Sequence, residues 1–228
     1  MAFKLLILAG TYEGRVLGER LASDPRFDVL LSYAGATATL RAPNVPHRVG
    51  GFGGIDGLAN YLRIEAMDAV VDATHAFAAQ MSSNAVAACA RTGTPLIRLE
   101  RAAWRAQAND RWIDVSDMRT AAAALGPKRR RVFLSIGKTE VSAFALAPQH
   151  DYLIRAIDHF EPGLPCARVI AARGPFEYSE EIALLERERI ELIVSKNAGT
   201  SATYAKIEAA RALGLPVVMV ARPALPPA

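Results

Sequence analysis

Short apolar runs alternate with stretches of helical period along almost the whole chain, the pattern of an α/β protein whose parallel strands are buried on both faces. The first run, Lys4-Leu5-Leu6-Ile7-Leu8-Ala9, predicts a strand, and the spacing of Leu17, Leu21 and Ala22 predicts the helix after it. Further strands are expected over 27–33, 47–49, 69–71 and 96–99, with helices over 55–64 and 76–90. The segment 102–110 carries neither period and reads as a crossover. A second series follows it: a short Ala-rich helix from Asp117, strands over 132–136, 152–157, 167–172, 191–194 and 217–220, and helices over 140–146, 179–188 and 201–213.

Five strands on each side of the crossover predict two doubly wound, Rossmann-like parallel-sheet domains facing a cleft, over 1–115 and 116–228. Function is then expected at the carboxyl ends of the strands. Composition narrows the partners. The chain of 228 residues is 51% hydrophobic, enough for a substantial core, yet no apolar run has the length of a membrane span. Asp, Glu and Arg directly after the opening strand argue against a signal peptide, so a cytoplasmic protein is expected. Net charge is +4 and the basic residues are dispersed, apart from the run Lys128-Arg129-Arg130-Arg131, which reads as a solvated lead-in to a strand. That balance suits an anionic small molecule and not a nucleic acid or a membrane. Cys89 and Cys166 stand far apart without ligand spacing, so both are expected to be packing residues, with no metal site and no disulfide.

Four segments put polar residues just past an apolar strand. The first is Gly10-Thr11-Tyr12-Glu13-Gly14-Arg15, where a glycine turn and a helix N-terminus converge on a point that attracts phosphate. It lacks the middle glycine of the GxGxxG fingerprint, and an ordinary strand-to-helix turn reads the same way. Glu13, acidic beside a phosphate, is expected to orient Arg15 or to cap the helix. The second segment, past the second strand, holds no acid to bind a ribose diol; Ser32, Thr37 and Arg41 there favour a 2′-phosphate and hence NADPH over NADH, against the alternative of a plain surface loop. In the third, Asp72 and Thr74 close a strand and His75 stands at the entry of the helix expected from Ala76, as a ligand contact or a capping residue and not as the general acid. The fourth runs from Ile193 to Lys206: Lys196, Asn197, Ser201 and Tyr204 form a second anion-binding loop, with Lys138 and Arg173 at two further strand ends.

The same residues carry a resemblance. The blocks LILAGTYEGRVLGERLA, VVDATHAFAAQMSSNAVAAC, PLIRLERAAW, VFLSIGKTE, AARGPFEYSEE and IVSKNAGTSATYAKIEAARALGLPVVMVARP occur in order through both halves. They resemble the precorrin-6A reductase family of cobalamin biosynthesis. The resemblance implies an oxidoreductase that reduces one double bond of precorrin-6A to precorrin-6B with NADPH; its anaerobic counterpart acts on cobalt-precorrin-6A. It transfers no catalytic acid, and water or the substrate itself is left to deliver the proton. It implies a polycarboxylated tetrapyrrole in the second domain, met by Lys138, Arg173 and Lys196 with Arg98 or Lys206, and neighbouring enzymes of the cobalamin pathway as partners. Read from the residues alone, two rivals stay open: a non-redox nucleotide- or sugar-phosphate-binding protein, and a glycosyltransferase-like enzyme with His75 as its base.

Overall fold

The computed structural model describes residues 1–35 and 44–228. It divides into two compact units, one of Met1–Glu100 with Pro223–Ala228, the other of Arg101–Arg222. In the first unit, β1 (Phe3–Ala9) is followed by α1 (Tyr12–Ala22), β2 (Phe27–Tyr33), β3 (His47–Val49), α2 (Gly54–Ile64), β4 (Ala69–Ala73), α3 (Ala79–Thr92) and β5 (Leu96–Arg98). The five strands are all parallel in the order β3-β2-β1-β4-β5. Alternate residues of the central strands feed two apolar layers: Leu5, Ile7 and Leu31 pack with Leu17 and Leu21 of α1, and Leu6, Leu8 and Val70 pack with α2 and α3. Such burial on both faces is why β1 and β4 read as unbroken apolar runs.

The second unit contains β6 (Arg111–Val115), α4 (Met118–Ala124), β7 (Arg131–Ser135), a 3-10 helix (Lys138–Leu146), β8 (Asp151–Ala156), β9 (Ala167–Ala171), α5 (Tyr178–Arg187), β10 (Leu192–Lys196), a 3-10 turn (Ser201–Thr203), α6 (Ala205–Ala212) and β11 (Pro216–Val220). Its six parallel strands run β6-β11-β10-β7-β8-β9. Two doubly wound parallel-sheet units are therefore present, as the alternation of patterns predicts.

The structure departs from the expected organisation in definite places. An extra strand, β6, pairs with β11 from the far end of the chain. The division falls after Glu100 and not after residue 115, and the last six residues return to the first unit, where the Pro226 carbonyl accepts a hydrogen bond from Arg98 at 2.8 Å. The helix expected from residue 76 starts at Ala79. The segment expected as a helix over 140–146 is 3-10, and the helix expected over 201–213 opens with a 3-10 turn over Ser201–Thr203 before α6. Cys89 is buried as expected, and burial pushes its thiol up to about 11; Cys166 is exposed and so is not a packing residue. Among the described residues no helix is long and apolar enough to cross a membrane.

Candidate functional site

In an open parallel sheet, ligands settle at the carboxyl ends of the strands where the winding reverses. In the first unit that point lies between β1 and β4. The turn after β1 and the segment after β4 meet there: a methyl group built on Gly10 would lie 3.5 Å from the His75 amide nitrogen and 3.6 Å from the Thr74 Cα. Thr11 is the N-cap of α1, its hydroxyl accepting from the Gly14 amide at 3.0 Å and donating to the Ala73 carbonyl at 3.0 Å. One side chain thus caps the helix and fastens its start to β4. A Cβ on Gly14 would stand 2.9 Å from that of Ala73, so glycine is what permits this approach.

The N-cap of α1 is Thr11, and Arg15 is engaged by Glu19 at 2.6 Å. Tyr12 is exposed, and the Arg15 guanidinium lies 5.2 Å from its ring centroid. Buried Asp72 braces the opposite wall: its Oδ1 accepts from the Thr74 amide at 3.2 Å and the Thr74 hydroxyl at 2.7 Å, and Arg98 Nε approaches Oδ2 at 3.4 Å. Arg98 thus links Asp72 to the Pro226 carbonyl. Thr74 also reaches Ser82 of α3 at 3.4 Å. His75 precedes α3 by four positions, and its Nδ1 accepts from the Phe77 amide at 3.2 Å.

Ser32 is buried near the end of β2, and its hydroxyl accepts from Arg48 Nη1 at 2.8 Å. Thr37 and Arg41 lie outside the described residues. The cation beside Ser32 is Arg48 of β3, which sequence reasoning missed. Arg48 also donates to the carbonyls of Gly50 (2.9 Å) and Gly51 (3.1 Å), which lie just past the tip of β3, and stacks 4.0 Å from the Phe52 ring centroid. The signal was available: a lone arginine in a three-residue strand, directly before a glycine-rich turn and an aromatic.

In the second unit the winding reverses between β7 and β10. Lys196 ends β10, and its Nζ lies 2.9 Å from both carboxylate oxygens of Glu140. Glu140 also accepts the Gly137 amide at 2.6 Å. Lys196 is thus charge-paired, and its partner Glu140, which closes the block VFLSIGKTE, is a candidate that sequence reasoning passed over. Lys138 is exposed with its ammonium 5.4 Å from the Phe160 ring centroid, and Arg173 is exposed past β9. The Asn197 side chain is turned inward: Oδ1 accepts from the Trp104 amide at 2.7 Å and Nδ2 donates to the Trp104 carbonyl at 2.9 Å. The Tyr204 hydroxyl accepts from Arg211 at 2.9 Å and Gln107 at 3.2 Å. Asn197 and Tyr204 consequently pin the 102–110 crossover, and of Lys196, Asn197, Ser201 and Tyr204 only Ser201 is exposed. Lys206, weighed as a surface cation, is buried, its Nζ donating to the Thr203 carbonyl at 2.7 Å.

Two doubly wound units, each with polar residues at its reversal point, define a Rossmann-like α/β protein. The profile of the precorrin-6x reductase CbiJ/CobK family matches residues 4–228. A precorrin-6A reductase of Rhodobacter capsulatus is 51% identical over 225 residues, covering 98% of this chain and 89% of that protein. A cobalt-precorrin-6A reductase of Priestia megaterium is 31% identical over 233 residues, covering 96% of this chain and 90% of its own. A solved CobK precorrin-6A reductase superposes with a TM-score of 0.94 at 50% identity, over all of this chain and 91% of that one. The chain belongs to the precorrin-6x reductase CbiJ/CobK family.

Proposed function

We propose that this protein reduces one double bond of precorrin-6A to precorrin-6B in cobalamin biosynthesis, with NADPH as the reductant. The observation that carries the reading is the whole-chain match, at 50% identity, to the solved precorrin-6A reductase. The metal-free substrate is favoured over its cobalt analogue because identity to the precorrin-6A reductase of Rhodobacter capsulatus is 51%, against 31% to the cobalt-precorrin enzyme of Priestia megaterium. Such a pathway enzyme works in the cytosol.

The first unit has the donors a dinucleotide needs. The α1 N-terminus supplies amide groups and a positive dipole end for the pyrophosphate, and Gly10 leaves room between the β1 and β4 ends. Arg48, anchored by Ser32 at 2.8 Å and by two loop carbonyls, presents a fixed cation at the tip of the β2–β3 edge, suited to a ribose 2′-phosphate. Thr11 holds the turn against β4, and Asp72 with Arg98 keeps Thr74 in place. When bound, reduced nicotinamide supplies a hydride.

The second unit suits a polyanionic macrocycle. Lys138 and Arg173 offer exposed cations past β7 and β9, with Ser201 as a hydroxyl donor, and the Lys196–Glu140 pair sets the electrostatics at the centre. Asn197 and Tyr204 act through the crossover that they hold. The test is loss of reduced-nicotinamide absorbance on adding precorrin-6A without oxygen, with NADH and cobalt-precorrin-6A run in parallel. Oxidation of NADPH in preference to NADH, with precorrin-6A as acceptor, is expected; no turnover with either tetrapyrrole would overturn the reading.

A further inference from the structure

Beneath the loop past β10 lies a cluster of charge that none of these roles uses. Arg155 of β8 and Glu181 of α5 form a bidentate buried pair, with Arg155 Nη2 3.0 Å from Glu181 Oε2 and its guanidinium 3.7 Å from the Phe176 ring centroid. That pair is already neutral. Lys206, in the first turn of α6, adds a further cation to the same interior, its Nζ donating to the Thr203 carbonyl and the Trp104 ring centroid 5.0 Å away.

The two contacts of Lys206 lead to the loop from both sides. Thr203 ends the 3-10 turn that begins at Ser201, and the Ala202 carbonyl of that turn accepts the Phe176 amide at 3.1 Å. Trp104 is clamped to Asn197 through its own amide and carbonyl and packs on Tyr204 with ring centroids 5.4 Å apart. Lys206 therefore sits at the junction of the turn, the crossover and the 173–176 segment. An ammonium hydrogen-bonds a carbonyl and attracts an indole face more strongly than a neutral amine does.

We propose that Lys206 is a positioning residue for the substrate-anion loop, fixing the Ser201–Thr203 turn through the Thr203 carbonyl and the crossover through Trp104, most tightly when its amine is charged. The proposal rests on the reading of the second unit as the half that holds the tetrapyrrole. The groups facing the amine are Arg155 from β8, Glu181 from α5 and Trp104 from the crossover, with Tyr204 and the Arg211–Asp110 pair behind them. Burial first, then Arg155, lowers the Lys206 pKa to about 7, against the raising effect of Glu181. The latch is thus tight on the acid side of neutrality and slack on the alkaline side.

The experiment uses two readouts. Trp104 is one of two tryptophans, so Trp112→Phe leaves it as the sole indole reporter, 5.0 Å from Lys206. Fluorescence of that variant is expected to titrate with a midpoint near 7 and to lose the transition when Lys206→Met is added. KM for precorrin-6A is expected to rise several-fold from about pH 6 to about pH 8, and to stay flat with Lys206→Met, the change falling on KM and not on kcat. A Trp112→Phe protein without a transition, or one whose transition survives Lys206→Met, overturns the proposal; so does an identical KM profile in Lys206→Met. A Lys206-dependent fluorescence transition in a protein that reduces no tetrapyrrole upholds the latch and sinks the reductase reading.

Discussion

Lys196 and Glu140 meet across the reversal point of the second sheet, the ammonium equidistant at 2.9 Å from both carboxylate oxygens. With side chains only 16% and 24% exposed, neither is a free surface charge. The pair joins the end of β10 to the start of the 3-10 helix after β7, and the Gly137 amide bond to Glu140 locks that start.

Lys196→Met leaves the carboxylate of Glu140 without this partner and is expected to cost about 1–3 kcal/mol of stability. Glu140→Gln keeps an acceptor for the Gly137 amide and is expected to cost less. Urea unfolding of both variants and of the double variant checks this. Strictly additive losses would mean that the two side chains are not coupled.

Gly10 and Gly14 separate packing from binding. A methyl on Gly14 would press on the Cβ of Ala73 at 2.9 Å and its carbonyl at 3.2 Å, so Gly14→Ala is expected to lose about 1–3 kcal/mol. A methyl on Gly10 meets only ordinary contacts, at 3.5 Å and beyond, so Gly10→Ala keeps stability within about 0.5 kcal/mol. It fills the space between the β1 and β4 ends and is expected to weaken NADPH binding by at least about tenfold. Unchanged affinity in a folded Gly10→Ala protein would remove the turn from the cofactor site.

Arg48→Met is expected to weaken NADPH by about tenfold or more, the scale of one charge-assisted contact, and to leave NADH binding nearly as it was. Ser32→Asp places a carboxylate against the same guanidinium and acts in the same direction. Fluorescence titration with both cofactors decides it: a parallel loss of NADPH and NADH would assign Arg48 to holding the 50–52 loop alone.

Stability should depend on pH through Lys206. Its pKa falls from 10.5 to about 7 on folding, mainly through burial, so above about 7 the unfolded chain binds a proton that the folded one does not. Stability from this group therefore rises with pH across the window from about 7 to 10.5, and the penalty is complete below it. Lys206→Met removes that penalty and is expected to stabilise the protein by about 1–4 kcal/mol at neutral pH, with the gain vanishing at strongly alkaline pH. Thermal melts of both proteins across that range test it; a gain independent of pH would locate the effect elsewhere.

Much of the architecture was legible because the central strands carry it in one dimension. β1, β4 and β10 are buried on both faces, so each is an unbroken apolar run ending in polar residues. β6 was not legible: Arg111-Trp112-Ile113-Asp114-Val115 is a half-exposed edge strand whose partner, β11, lies about a hundred positions away in the chain. Its place in the second sheet, with the division after Glu100, is a matter of long-range pairing that local period does not encode. The candidate site divides in the same way. The Gly10 turn and the strand end at Asp72 were found because position after a strand marks them, whereas Arg48 and Glu140 emerge only once neighbouring strands bring them to Ser32 and Lys196.

From its residues alone the chain determined the α/β class, the two windings, the strand ends where polar groups gather and the family whose blocks it carries, because hydrophobic period and residue order are local properties. Only the tertiary structure decided what each polar side chain does there. Asn197 and Tyr204 turn inward to hold the crossover, Lys206 is buried beside a neutral ion pair, and Lys196 is paired with Glu140. A side chain's charge is written in the sequence; its solvation and its partner are set by elements that meet only on folding.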